Sequence, residues 1–174
     1  MNQIREIAQL GAEVLRLRAE PVAEVNSADN REVIAAMKAT LANTQGVGLA
    51  APQIGVSRRI VIIASRPTPR YPNAPLMEPT VMINPSFTAL SEAAEKDWEG
   101  CLSIPGIRAL VPRFKDIRID YTDERGSSAE ARLLDFIARV FQHEFDHLNG
   151  LVFLDRVESN RDIFSESEYL KLFS

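Results

Sequence analysis

One helix constrains this chain more than any other feature. Between Asp135 and Gly150 the residues Phe136, Ile137, Val140, Phe141, Phe145 and Leu148 recur at helical spacing. The sequence therefore predicts a helix over 136–149, capped by Asp135 and stopped by Gly150. Placing residues at intervals of about 100° puts Arg139, Gln142, Asp146 and Asn149 on one polar arc, with apolar residues filling the rest. Such a helix is mostly buried. His143 and His147 extend the stripe of Phe136 and Val140, and Glu144 falls inside the apolar arc, so three polar groups enter the interior together. A buried carboxylate without partners costs on the order of several kcal/mol, and a divalent cation would satisfy all three groups at once.

His143 and His147 are the only 2 histidines in 174 residues. Scattered at random, two histidines would stand four apart roughly once in a hundred cases, before the intervening glutamate is required as well. At i and i+4 both imidazoles reach one ion, while Glu144 contacts its water: the H-E-x-x-H arrangement. The competing reading, a core histidine pair with Glu144 in an ion pair, has to accept that coincidence. With no third histidine, the remaining ligand is a thiolate or a carboxylate. Cys101 is the only thiol. It sits in Trp98-Glu99-Gly100-Cys101-Leu102-Ser103-Ile104-Pro105-Gly106, where the glycines and proline predict an irregular turn that presents one side chain. By itself a lone cysteine reads as a buried small hydrophobe. With the two histidines, it leaves an open position for water, the mark of a catalytic rather than a structural site.

Composition narrows the setting. Hydrophobic residues make up 45% and charged residues 25%, the balance of one folded domain over 1–174. A single cysteine forms no intramolecular disulfide. The longest strongly apolar run, Ile60 to Ala64, is far short of the roughly twenty residues of a membrane span. Neither a secretory nor a transit leader is visible, which predicts a cytoplasmic protein and leaves an organellar origin of a mature chain open. With 20 basic against 24 acidic residues there is no basic footprint, so no direct nucleic-acid binding is expected.

Elsewhere, Pro21 predicts an extended edge over 15–25. Ser27 to Asn30, then Val33, Ile34, Met37 and Leu41, predict a helix over 30–44 closed by Gly46. Strands are expected at 59–65, 81–84 and 117–121, with a turn over 123–126. Pro67, Pro69, Pro72, Pro75 and Pro79 mark an exposed, partly stiff loop.

Three blocks, in order, resemble the peptide deformylases: Gly46-Val47-Gly48-Leu49-Ala50-Ala51-Pro52-Gln53, Glu99-Gly100-Cys101-Leu102-Ser103 and Gln142-His143-Glu144-Phe145-Asp146-His147-Leu148. The third block is shared with many metallopeptidases; the cysteine block preceded by the glycine-rich block is more specific. The resemblance implies an α+β fold, small antiparallel sheets packed around a central buried helix carrying the metal motif. It also implies a hydrolase that removes the formyl group from the N-terminal formylmethionine of newly made chains and releases formate. Cys101, His143 and His147 would hold one divalent ion per chain, Fe2+ by resemblance, with Zn2+, Ni2+ or Co2+ as substitutes. Glu144 would move protons during hydrolysis. Gln53, through its side chain, and Leu102, through its backbone N–H, resemble the oxyanion donors, and Gly48 the backbone site where the peptide docks as an added strand. For the methionine pocket, Val140 and Phe136 are the candidates, with Arg108 and Arg113 framing the mouth and Asp146 pairing with Arg113.

The implied partners are N-formylmethionyl nascent peptides, with a transient ribosome contact left open, no membrane, and a monomeric enzyme. Two departures stand out. Ala12-Glu13 replaces a common Asp-Pro pair, and the tail from Leu151 is acidic, unlike the basic helix with which some members dock on ribosomes. The rival readings are a metallopeptidase or amidase acting on internal peptide bonds, and a metal-binding interaction protein without turnover; an intact Glu144 weighs against the latter.

Overall fold

The computed structural model describes residues 4–68 and 71–173. Two antiparallel sheets enclose one long helix. In chain order the elements are α1 (Ala28–Ala42), β1 (Gly48–Ala50), β2 (Ile60–Ser65), β3 (Met77–Ala89), β4 (Ala94–Cys101), β5 (Ile104–Phe114), β6 (Asp116–Thr122), β7 (Ser128–Leu134), α2 (Asp135–Leu148), β8 (Ile163–Ser165) and α3 (Glu166–Lys171). The first sheet has the order β1-β2-β3-β6-β7 and the second the order β4-β5-β8. This is the α+β arrangement expected, with the H-E-x-x-H helix at its centre.

Strand β2 explains why the apolar run at 60–64 is continuous. Val61 and Ile63 face α2, packing with Phe141, Val140 and Leu148, whereas Ile60 and Ile62 face α1, packing with Ile34, Met37 and Leu41. A strand buried on both faces loses the alternation of a half-exposed one. Each such side chain taken fully from water contributes roughly 1.5–3 kcal/mol. A third apolar cluster gathers Cys101, Ile104, Ala109, Val111, Val152 and Phe153 beside the second sheet.

Local chemistry sets the ends of the helices. The Asn30 N–H donates to Ser27 Oγ at 3.2 Å, so α1 starts at the expected cap and runs two residues earlier than its expected span. At the end of α2, Gly150 has φ +73° and a Cβ there would lie 2.6 Å from the Arg16 carbonyl oxygen, so only glycine fits the stop. Asp135 does not cap as expected. It takes φ +47° at the start of α2, and the preceding residue Leu134 provides no side-chain cap.

Four further expectations are corrected. Residues 98–106 are no irregular turn: β4 and β5 form a long hairpin, with a register shift between Glu99 and Cys101 that leaves the cysteine at the strand end. The segment 15–25 holds a 3₁₀ turn at Glu13–Arg16 and only isolated bridges, Arg18 to Asn149 and Glu20 to Arg58. The expected strand 81–84 extends over all of β3 and takes in Pro79. The proline-rich loop is not wholly exposed, since Thr68 and Ala74 are buried and the Tyr71 ring packs on Phe136 at 5.0 Å; Pro69 lies outside the described residues.

Candidate metal centre

The end of β4 delivers Cys101 to the face of α2 that carries both histidines. Cys101 Sγ lies 3.4 Å from His147 Nε2, and ligand atoms of Cys101, His143 and His147 all fall within 4.8 Å of one another. Donors placed about 2.0–2.3 Å from one tetrahedral ion stand about 3.5 Å apart, so the cluster is close to a ligand set already gathered. The chemistry of the donors fits a divalent ion. Burial pushes the Cys101 thiol up, but His147 and His143 beside it more than offset this and hold it well below the usual thiol range. Thiolate is the form a metal binds. The Ser103 N–H and the Gln53 amide face the same sulfur, at 3.4 and 3.6 Å.

Glu99, two residues before the cysteine, orients a histidine. Its Oε2 accepts from His143 Nδ1 at 2.9 Å, which leaves Nε2 as the other ring nitrogen. The same carboxylate is gripped by Arg113 through Nε and Nη2 at 2.9 and 3.1 Å, and by Arg139 Nη1 at 3.0 Å. Burial pushes Glu99 up, yet Arg113 and His143 hold it well below the usual carboxylate range. Arg113 continues to Asp146 at 2.6 Å, and Arg156 Nη2 covers that aspartate at 2.7 Å. The polar arc of α2 is thus buried as well: Arg139, Gln142 and Asp146 all sit inside, with Gln142 bridging the backbone N–H and C=O of Phe114. The Asp146–Arg113 pairing is present as expected.

Glu144 stands apart from this network. It is 4% exposed, its Oε2 has no hydrogen-bond partner among the described residues, and burial pushes its carboxyl up to about 7. An orphaned carboxylate oxygen next to a ligand cluster is what a proton-transfer group facing an ion and its water looks like. Across from it lies Gly48 on β1, where a Cβ would come within 2.3 Å of Glu144 Oε1. The space left by the missing side chain is therefore filled by the glutamate.

One pocket gathers most of the expected site: Gly48, Gln53, Cys101, Leu102, Phe136, Val140, His143 and Glu144 all line it. The Gln53 amide is fixed from both ends, its Oε1 accepting from the Ala50 N–H at 2.8 Å and its Nε2 donating to Ser103 Oγ at 3.2 Å. The arginines do not frame a mouth. Arg108 is 1% exposed and bonds Glu166 and the Tyr71 hydroxyl, while Arg113 is spent on its two carboxylates. Tyr71, Trp98, Glu99 and Arg139 line the pocket without having been expected there. Only Glu99 left a signal, a carboxylate two residues from a candidate ligand, which is the usual partner of a metal-bound histidine.

Comparison with known proteins agrees with this geometry. The family model described as polypeptide deformylase matches residues 4–162. A protein named peptide deformylase 2 from Nostoc sp. is 50% identical over 170 residues, covering 98% of this chain and 95% of its own. Peptide deformylase 1 of Nitrosomonas europaea is 43% identical, covering 91% of this chain and 90% of its own. Among solved structures, a class I type b peptide deformylase from Acinetobacter baumannii with Met-Ala-Ser bound superposes with a TM-score of 0.87 at 42% identity, covering 90% of this chain and 100% of the other.

Proposed function

From the premise that this chain belongs to the polypeptide deformylase family, we propose that Glu144 and an ion held by Cys101, His143 and His147 carry out its reaction. The protein is a metal-dependent hydrolase that removes the formyl group from the N-terminal formylmethionine of newly made proteins and releases formate. The observation that carries the assignment of roles is the buried, unpartnered Glu144 carboxylate beside a Cys-His-His cluster. When bound, the ion supplies Lewis acidity that lowers the pKa of water toward neutrality. We assign it as Fe2+ on family resemblance, with Zn2+, Ni2+ and Co2+ as substitutes that the same ligands accept.

The chain's own residues do the rest. Glu144, with its carboxyl near 7, takes a proton from the attacking water and hands it to the departing amine. Gln53 and the Leu102 N–H act as the donors to the oxygen of the formyl carbonyl, a reading supported by both residues lining the same pocket. Val140 and Phe136, on the face of α2 before His143, take the methionine side chain.

Strand β1 is an edge strand, bonded to β2 alone. The Ala64 N–H bonds the Val47 carbonyl, so by antiparallel alternation the N–H and C=O of Gly48 point to the free edge. There a peptide adds as a strand, a reading supported by the free backbone groups of that edge.

We further read residues 1–174 as one domain acting as a cytoplasmic monomer on nascent chains, with at most transient ribosome contact and no nucleic-acid binding. No helix of the described residues is long and apolar enough to cross a membrane. The test is formate release from formyl-Met-Ala-Ser against cleavage of acetyl-Met-Ala-Ser and unblocked Met-Ala-Ser by anaerobically purified, metal-analysed protein. Turnover of the formyl peptide alone is expected. Equal cleavage of all three would assign a general peptidase instead.

A further inference from the structure

The five-stranded sheet ends in two free edges. One is β1, the edge assigned to the peptide; the other is β7, bonded to β6 alone. Edge strands are ordinarily guarded against pairing by proline, lysine, a bulge or shortness. β7 has none of these guards: Ser128-Ala129-Glu130-Ala131-Arg132-Leu133-Leu134 runs for 7 residues in unbroken register with β6. The Asp135 N–H bonds the Lys115 carbonyl and the Asp123 N–H bonds the Ser127 carbonyl, so by antiparallel alternation the odd-numbered residues of β7 bond β6. The N–H and C=O of Ser128, Glu130 and Arg132 therefore point to the free edge. The side chains of this edge are poorly matched within the chain. Arg132 stands opposite Arg118 and Glu130 opposite Asp120, all four exposed. These are non-hydrogen-bonded pairs, in which side chains stand closer, and like charges set opposite each other destabilise a sheet. Asp116 relieves Arg132, accepting from its Nε and Nη2 at 2.8 and 2.6 Å. Among the described residues Arg118, Asp120 and Glu130 have no such counter-ion.

We propose that β7 pairs antiparallel with β7 of a second copy of this chain, centred on Ala131, so that Glu130 of each copy lies opposite Arg132 of the other. Such a contact is isologous and closes about a twofold axis. In this register Glu130 and Arg132 of the two copies exchange backbone bonds, since both carry their groups on the free edge, and Glu130 gains the counter-ion that β6 withholds. The neighbouring registers that keep backbone bonds centre on Glu130 or on Arg132, and they set Glu130 against Glu130 or Arg132 against Arg132. The charge pattern of the strand thus selects one register. Because β1 and β7 lie at opposite ends of the sheet order, each copy keeps its metal centre and its peptide edge. The unit that turns over is still the single chain. Pairing is a second association governed by concentration, and it does not depend on the deformylase reading. Two strands this short bury less than the roughly 1,000 Å2 of a stable interface, so the pair is weak and forms above about 10 μM.

Sedimentation velocity of the full chain, between about 10 μM and 1 mM and at about 0.05 and 0.5 M salt, reads the pairing. Wild type is expected to shift from monomer toward dimer across this range, and less so at the higher salt. Glu130→Arg sets two arginines opposite each other and Arg132→Glu two glutamates, so each variant alone should pair about tenfold or more weakly than wild type. An equal mixture of the two variants sets every glutamate against an arginine and should recover the wild-type dimer. A cooperative thermal melt checks that each variant is folded. A wild type that stays monomeric to about 1 mM overturns the proposal and leaves the edge to a strand from another protein. A dimer that both variants keep, one that the mixture fails to recover, or one that salt strengthens overturns it as well, since each places the contact elsewhere. If Arg132→Glu, which also gives up Asp116, does not fold, the wild-type series and Glu130→Arg decide alone.

Discussion

Gly48→Ala isolates the placement of Glu144 from everything else in the site. Gly48 has an ordinary β conformation, so alanine costs the backbone nothing there, and its N–H and C=O keep their direction along the free edge of β1. The new Cβ instead meets Glu144, at 2.3 Å from Oε1 and 2.8 Å from both Cδ and Cγ. Ordinary contact begins at 3.4 Å, so the carboxyl must retreat by about 1.1 Å or turn into another rotamer. Rotation about χ2 or χ3 leaves Cγ where it is, so clearing its contact takes a change at χ1 or a shift of the backbone. A displacement of about 1 Å in a group that transfers protons costs on the order of 10²-fold in rate. Steady-state formate release should therefore show kcat reduced by about two orders of magnitude, with KM for formyl-Met-Ala-Ser changed less than about threefold. Metal content should stay at the wild-type level because the three atoms nearest the new methyl all belong to Glu144, which is not a ligand. A kcat within threefold of wild type would show that Glu144 does not work from the position described. A change confined to KM would return Gly48 to a role in peptide docking alone.

Other variants probe the parts around it. Glu144→Gln should abolish formate release while retaining metal, measured by elemental analysis alongside the assay; residual turnover above a few per cent would remove Glu144 from proton transfer. Cys101→Ala should lose the ion. Chelation of wild type should lower thermal stability by the binding free energy, about 2.7 kcal/mol if the ion is present at 100 times its Kd, and Cys101→Ala should show no such shift. Arg113→Met leaves Glu99 and Asp146 buried beside a neutral side chain and should cost about 3–5 kcal/mol in denaturant unfolding; a loss below 1 kcal/mol would mean that water reaches those carboxylates. Phe141→Ala removes a fully buried ring stacked with Phe145 at 5.8 Å and should cost about 3–5 kcal/mol by the same measurement.

What the sequence revealed of the site follows from sequence distance. His143, Glu144 and His147 lie within two turns of one helix, so their spacing alone says that they share a face. Cys101 could be added because it is the single thiol. The register of β4 on β5 is different in kind. Glu99 pairs with Ala109 and Glu95 with Arg113 across the hairpin, and nothing in the glycine- and proline-bearing block announces two long strands there. The grip of Arg113 on Glu99 was therefore out of reach, and Arg108 and Arg113 read as framing a substrate mouth. Strand β8 is three residues long, too short for any period. Tyr71 sits among prolines that suggest an exposed loop, and only its packing on Phe136 shows otherwise.

The buried charges around the centre make sense only as positioning. From His143 the chain of contacts runs through Glu99, Arg113 and Asp146 to Arg156, alternating in sign, and Arg156 alone reaches solvent substantially. Buried ion pairs are at best close to neutral for stability against apolar packing of equal volume, so stability does not account for such a series. Each member instead fixes the next. With Arg113 and Arg139 holding Oε1 and Arg113 also holding Oε2, the Glu99 carboxylate cannot turn, and its remaining bond sets the plane and tautomer of His143. Asp146 does the same for Arg113 from the next turn of the helix that carries the ligands, so the orientation of the imidazole and the seating of α2 on the β4–β5 hairpin are set by one set of bonds. A hairpin that slid by one residue would carry Cys101 away from α2 and break the Glu99–Arg113 pair at the same time, which is how a three-residue ligand set drawn from two distant segments is held to one geometry.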